Sequence, residues 1–204
     1  MRALQAPDPL GAIPSGFTRI FNGQNLAGWR ISLTNHHGRT AEWRITDGVL
    51  TATQDRPGNG GILLSDGIYK DFEVSLEIKP DWGCDGGLFL RSSEAGNAYQ
   101  VMIDYLEGGS VGGIHGERLE GLKNPAAEDY RKYWKKDDWN TLRARIEGAP
   151  PRIRVWLNDG RIIDWTDTET RRAEGHIAVQ VHGGKRWVEK SFHRYRNIAA
   201  RELR

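Results

Sequence analysis

Residues 152–166 read RIRVWLNDGRIIDWT. Ile153, Val155 and Leu157 alternate with Arg152, Arg154 and Trp156, a period of two that belongs to a β-strand. Asn158-Asp159-Gly160 then supplies a turn, because glycine accepts the positive φ that tight hairpins need. A second β-prone run follows at 161–166. The stretch is a β-hairpin, and the rest of the chain repeats its grammar.

Working outward, short alternating runs fall at 18–21, 42–46, 49–52, 62–64, 71–79, 87–92, 98–103, 141–147, 175–182 and 188–202. FNGQNL, ITDGVL and VHGGKR punctuate them with further Asn-Gly, Asp-Gly and Gly-Gly turns. In FEVSLEIK, Phe72, Val74, Leu76 and Ile78 oppose Glu73, Ser75, Glu77 and Lys79. YQVMID and TLRARIE divide in the same way. One apolar and one polar face per strand is the signature of two antiparallel sheets packed together. The expectation is an all-β sandwich over 17–204, preceded by an extended arm at 1–16 rich in Pro, Gly and Ala. The best helical candidate is 126–134, inside the long insertion 120–138. No internal repeat or domain linker is visible.

Composition narrows the function classes. Twenty-nine Lys and Arg against 27 Asp and Glu leave a net charge of +2. A nucleic-acid or anionic-membrane binder concentrates a basic excess, so neither partner is expected. No apolar run approaches the roughly 20 residues of a membrane span. One cysteine, Cys84, forms no intrachain disulfide and says nothing of the redox compartment. MRALQAPDPLGAIPSGF has no long apolar stretch of the secretory kind, which reads as cytoplasmic, or as periplasmic or secreted if a signal has been removed. Eight tryptophans is a high number; most belong to a core, but indoles also stack on sugar rings.

GFTRIFNGQNLAGW, EWRITDGVL and DFEVSLEIKPDWGCDGGLFLRS, followed in order by AYQVMID, VGGIHG, WNTLRARIEG, IRVWLNDGRIIDWTD, GHIAVQVHGG and YRNIAARELR, resemble the bacterial 3-keto-disaccharide hydrolase family. The resemblance runs over residues 16–204. It implies a concanavalin-A-like jelly roll of two curved antiparallel sheets. It also implies action on sugars oxidised at C3, and so a functional link to a sugar 3-oxidoreductase. The chain departs from the family at Gln100 and Met102, where members often carry Glu and Gln.

The implied chemistry makes physical sense. A ketone at C3 acidifies the proton on C2. A base removes it, and the glycosidic oxygen on C1, now β to the carbonyl, leaves; water adds later. Such a site needs a base, an electrophile at the C3 oxygen and an acid at the leaving oxygen. The catalytic candidates are Glu77, His182, Arg91 and Asp104. Glu77 lies mid-strand on a polar face, where it also reads as a solvated carboxylate. Arg91 closes GLFLR and offers a planar fork for an enolate or for hydroxyls, or pairs structurally with Glu77 or Asp104. Asp104 orients a histidine, binds a cation, or simply ends a strand. His182 titrates near neutrality and follows Gln180 by two positions, about 7 Å along one strand face. His176, nearer the start of that strand, reads as a plain exposed strand histidine.

Substrate-binding candidates are Gln100, His115, Gln180, Tyr133 and Trp134. His115 sits between glycines in GGIHG and reads equally as a loop histidine. YRKYWKKDD at 130–138 reads as a cleft-rim loop offering Tyr130, Tyr133 or Trp134 for stacking, or as a solvated loop with aromatic anchors. No cofactor is dictated; Glu77, Asp104 and His182 form a speculative divalent-cation set of mixed donors. HHG at 36–38 and Cys84 form no spaced cluster. Two rivals remain. One is a non-catalytic carbohydrate-binding module on the same fold. The other is a retaining glucanase, which needs a strand of alternating carboxylates that this sequence lacks.

Overall fold

The computed structural model describes residues 10–203. The strands are β1 (Thr18–Arg19), β2 (Trp29–Ile31), β3 (Trp43–Thr46), β4 (Val49–Ala52), β5 (Gly61–Ser65), β6 (Phe72–Ile78) and β7 (Gly86–Ser92). After them come β8 (Ala98–Ile103), β9 (Val111–Glu117), β10 (Asn140–Glu147), β11 (Arg152–Leu157), β12 (Gly160–Thr166), β13 (His176–Val181) and β14 (His193–Glu202). They build a jelly-roll sandwich. One sheet runs β12-β11-β10-β6-β14-β4-β3, with β1 paired to β14, and the six-stranded sheet runs β2-β5-β13-β7-β8-β9. All pairings are antiparallel. The first nine residues of the expected arm and Arg204 lie outside the described residues. No described helix is long and apolar enough to cross a membrane.

The alternation sorts as expected. Val74, Leu76, Leu142, Ala144 and Val155 face Leu88, Leu90, Val101, Val179 and Val181 across the buried core. β11 and β12 form the expected hairpin, but Leu157 pairs with Gly160 and the turn is Asn158-Asp159 alone, with the positive φ (50°) at Asn158 and not at the glycine.

Two strands were not expected, β2 and β9. The helical candidate 126–134 contains only one turn of 3-10 helix, Tyr130–Lys132. Its backbone is engaged elsewhere: Glu128 N–H donates to the Ile162 carbonyl, and Ile114 N–H donates to Pro125. The insertion is therefore stitched along β9 and β12, and no run of helical hydrogen bonds is left to form.

The outer face of the six-stranded sheet is divided. Ile62, Leu64, Phe89, Ala98 and Ala178 form a small second core there, fully buried. The turn around Gly96 lies on it: a Cβ at Gly96 would fall 2.3 Å from Ile62 Cδ1. Ser32 Oγ donates to the Glu94 carbonyl, joining that turn to the 32–38 loop. The other half of the face stays open and polar.

Candidate active site on the six-stranded sheet

The open half is a cleft of about 190 Å³ lined by Asp85, Gln100, Met102, Asp104, His115, Glu117, His182 and Arg186. Register explains the convergence. Gln100 lies opposite His115 across β8 and β9, and Gly87 lies between Gln180 and Met102. Gly87 leaves the floor open for the Gln100 amide, since a Cβ there would sit 2.5 Å from Gln100 Cγ.

A buried amide relay crosses that floor. Gln100 Nε2 donates to the Gly86 carbonyl at 3.0 Å and to Gln180 Oε1 at 3.1 Å. Gln180 Nε2 in turn donates to His37 Nε2 at 2.8 Å. The Gly86 carbonyl can only accept, which fixes the nitrogen end of Gln100, hence the oxygen end of Gln180, and so makes His37 Nε2 an acceptor.

His37 belongs to a cluster that the sequence reading did not assemble. His36 Nε2, His37 Nε2 and His115 Nε2 lie 3.1, 3.7 and 3.9 Å from the Glu117 carboxylate. The His36 and His37 rings are 3.9 Å apart, and His182 lies 4.8 Å beyond His37. Burial pushes the Glu117 carboxyl up, but His37, then His36 and His115, outweigh it and hold it below its usual range. Burial, and then repulsion from His37, lowers His36.

At the other end of the cleft Asp104 meets Asp85. Burial first, then the Asp85 charge, then the hydrogen bond made to Asp85, push Asp104 up to about 8. It is therefore a carboxylic acid at neutral pH. His182 Nδ1 stands 3.8 Å from Asp85 Oδ2, and burial lowers its pKa against the pull of that carboxylate. His182 is accordingly a neutral base. His182 Nδ1 and Asp104 Oδ1 are both buried without a hydrogen-bond partner.

The structure thus brings Gln100, Asp104, His115, Gln180 and His182 together. It does not bring Glu77 or Arg91. Glu77 is on β6 of the other sheet, where Arg196 Nε, Arg196 Nη2 and Asn197 Nδ2 hold it at 2.9, 3.2 and 2.5 Å. It lines a separate 680 Å³ cavity with Thr141 and residues 10–14. The expected cation set of Glu77, Asp104 and His182 is therefore corrected: Glu77 belongs to the opposite sheet. Arg91 is fully buried and knits loops, donating to the carbonyls of Lys70, Gly148 and Arg172 and to Asp71 at 2.7–3.3 Å. Its partner is Asp71, neither Glu77 nor Asp104. Tyr133 and Trp134 stand outside the cleft lining, Tyr133 against Gly160 and Trp134 in an aromatic pocket at the end of the sandwich.

A cation has a better fit at His36, His37 and Glu117, whose ligand atoms lie within 4.8 Å of one another. Two imidazoles and a carboxylate suit a divalent transition metal or zinc. Binding through His37 Nε2 would displace the Gln180 hydrogen bond. The clue in the sequence was the pair His36-His37, whose partner Glu117 lies eighty residues away on a strand that did not read as one.

Comparison with known proteins agrees with this architecture. The sequence model of the 3-keto-alpha-glucoside-1,2-lyase-like domain matches residues 16–201. A 3-keto-disaccharide hydrolase of Bacteroides thetaiotaomicron is 28% identical over 100 residues, 45% of this chain and 33% of that protein. The match thus spans a third of that curated relative. A Parabacteroides distasonis protein described among glycosyl hydrolases superposes with a TM-score of 0.65 at 21% identity, over 92% of this chain and 99% of that one. The carbohydrate-binding module CBM66 from Bacillus subtilis gives 0.56 at 18% identity, over 87% and 98%.

Proposed function

The chain belongs to the 3-keto-alpha-glucoside-1,2-lyase-like domain family, and from that premise we propose that it cleaves the glycosidic bond of 3-keto-glycosides in the cleft between Glu117 and Asp104. One observation carries the reading: a half-buried neutral imidazole and a buried protonated carboxyl, each with an unpartnered atom, share one small cleft. Two titrating groups pushed into opposite roles are what a base and an acid require.

His182 takes the proton from C2, and Asp85, at 3.8 Å, stabilises the imidazolium that forms. The C2 electrons close a C1–C2 double bond as the C1–O bond breaks. Asp104 gives its proton to the departing oxygen. The product is an enone, and addition of water across C1 and C2 completes a net hydrolysis. Gln100 and Gln180 hold His37 in place, and His115 offers a donor to sugar oxygens. A cation at His36, His37 and Glu117 would polarise a carbonyl oxygen as a Lewis acid.

The test is incubation with a 3-keto-glucoside and with its unoxidised parent, with and without chelator. Aglycone is expected from the keto form alone. His182→Ala is expected to lower kcat by about 10²-fold or more, in the range of general acid–base contributions. Glu117→Gln should abolish metal retention through dialysis. Release from neither substrate, with measurable saccharide binding, would mean a binding module in place of an enzyme.

A further inference from the structure

At the end of the sandwich Trp82, Tyr105, Tyr130 and Trp134 surround a pocket of about 420 Å³, with Arg131, Lys136 and Asp137 on its rim. Trp82 is 52% exposed, unusual for so large an apolar side chain. It is nevertheless held in place, edge-on to Tyr105 at 5.0 Å and 86°. Tyr105 leans on Trp134 at 4.9 Å and 42°, and Trp134 meets Tyr130 at 5.8 Å and 88°. The Nε1–H of Trp134 is buried without an acceptor. An exposed ring in an ordered aromatic cluster, beside an unsatisfied donor, marks a binding site.

We propose that this pocket holds one pyranose ring of a saccharide. Ring angles decide the shape of the ligand: no two neighbouring rings are parallel, so there is no slot for a flat aromatic group. A tilted platform suits a puckered ring that lays one face of C–H groups on an indole. The rim decides the polarity. Arg131 is taken up by Asp129 and by the Tyr130 ring, which leaves Lys136 and Asp137 to offer a donor and an acceptor to hydroxyl groups. The place in the fold sets the pocket apart from the cleft. Cys84 and Tyr105 form an antiparallel bridge, and Asp85 and Asp104, their immediate neighbours in sequence, line the cleft. Neighbours along a strand point to opposite faces, so this pocket, at the end of the core, is a saccharide site distinct from the cleft.

Calorimetric titration with cellotriose and with maltotriose tests the pocket without requiring turnover. Wild-type protein is expected to bind at least one of them, and Trp82→Ala to bind it at least tenfold more weakly. Trp134→Phe, which keeps a ring and loses the Nε1–H, is expected to weaken binding several-fold; it decides the matter if Trp82→Ala does not fold. Binding of both sugars unchanged in the variants, or no binding by the wild type, overturns the proposal. Kinetics separates the two readings. Cleavage of 3-keto-glucosides with unchanged trisaccharide affinity in Trp82→Ala removes the pocket and keeps the enzyme. Trp82-dependent binding without cleavage does the reverse.

Discussion

Asp104 and Asp85 face each other on a floor from which water is largely removed, and only one of them can carry a charge there at neutral pH. The consequence is a measurable penalty. Asp104 titrates near 8 in the folded chain against an ordinary 3.8, so between those values the folded state keeps a proton that the unfolded state has lost. Stability therefore falls as pH rises through that window and levels off above it. Asp104→Asn removes this contribution. Its melting temperature should fall less than that of the wild type between pH 5 and 9, and at pH 9 it should be the more stable by about 1–3 kcal/mol, a discounted share of the 1.36 kcal/mol per pKa unit. Turnover of the wild type should decline above about pH 8 as the acid is lost. Parallel melting curves across that range would remove the shared-proton assignment. Asp104, Gln100, Gln180 and His182 were legible because alternation put each on a polar strand face. Asp85 was not, since DWGCDGG carries no alternation to orient it.

At the scale of elements, β9 shows why part of the site stayed hidden. Val111–Glu117 reads VGGIHGE, and glycines are depleted from strands, so the run looks like a loop. Neighbours override that preference. A Cβ at Gly112, where φ is +92°, would fall 2.1 Å from Ile162 Cδ1, and one at Gly116 would fall 2.8 Å from Leu122 Cβ. The glycines are present because β9 lies tight under the 119–127 segment, and that tight strand delivers His115 and Glu117. Arg91 makes the opposite case: its place at the end of a strand suggested chemistry, and the structure uses it as a brace. Arg91→Ala would strand the Lys70, Gly148 and Arg172 carbonyls and the Asp71 carboxylate. The expected loss is about 1–3 kcal/mol, the range for leaving hydrogen-bonding groups without their partner, since Asp71 is half-exposed and rehydrates. Denaturant titration measures it. The folded fraction of the variant should keep a kcat near the wild-type value, and a large fall in kcat at full folding would return Arg91 to the mechanism.

At the scale of the whole molecule, the cleft is assembled from distant parts of the chain: the 36–37 loop, the start of β7, the β8–β9 pair and the end of β13. Sequence patterning gives each strand its faces, but not which loop will lie across which strand, because that depends on the order in which the two sheets are woven. The crossing of the 36–38 loop over the end of β13 is the tightest of these joints. The Gly60 N–H donates to the His37 carbonyl at 2.8 Å, and a Cβ at Gly183 would lie 2.1 Å from the same oxygen. No backbone can yield that much without moving His37. Gly183→Ala is therefore expected to lift the 36–38 loop from β13, break the Gln180–His37 hydrogen bond and disperse the imidazole–carboxylate cluster, while both sheets remain intact. Overpacking of this kind costs about 1–3 kcal/mol, so the protein should stay folded with a lowered melting temperature. Amide hydrogen exchange should speed up at residues 36–40 and leave β6, β10 and β14 unchanged, and retention of a divalent cation should fall at least tenfold. A variant that exchanges and binds metal like the wild type would show that the loop's seat on β13 does not hold the site together.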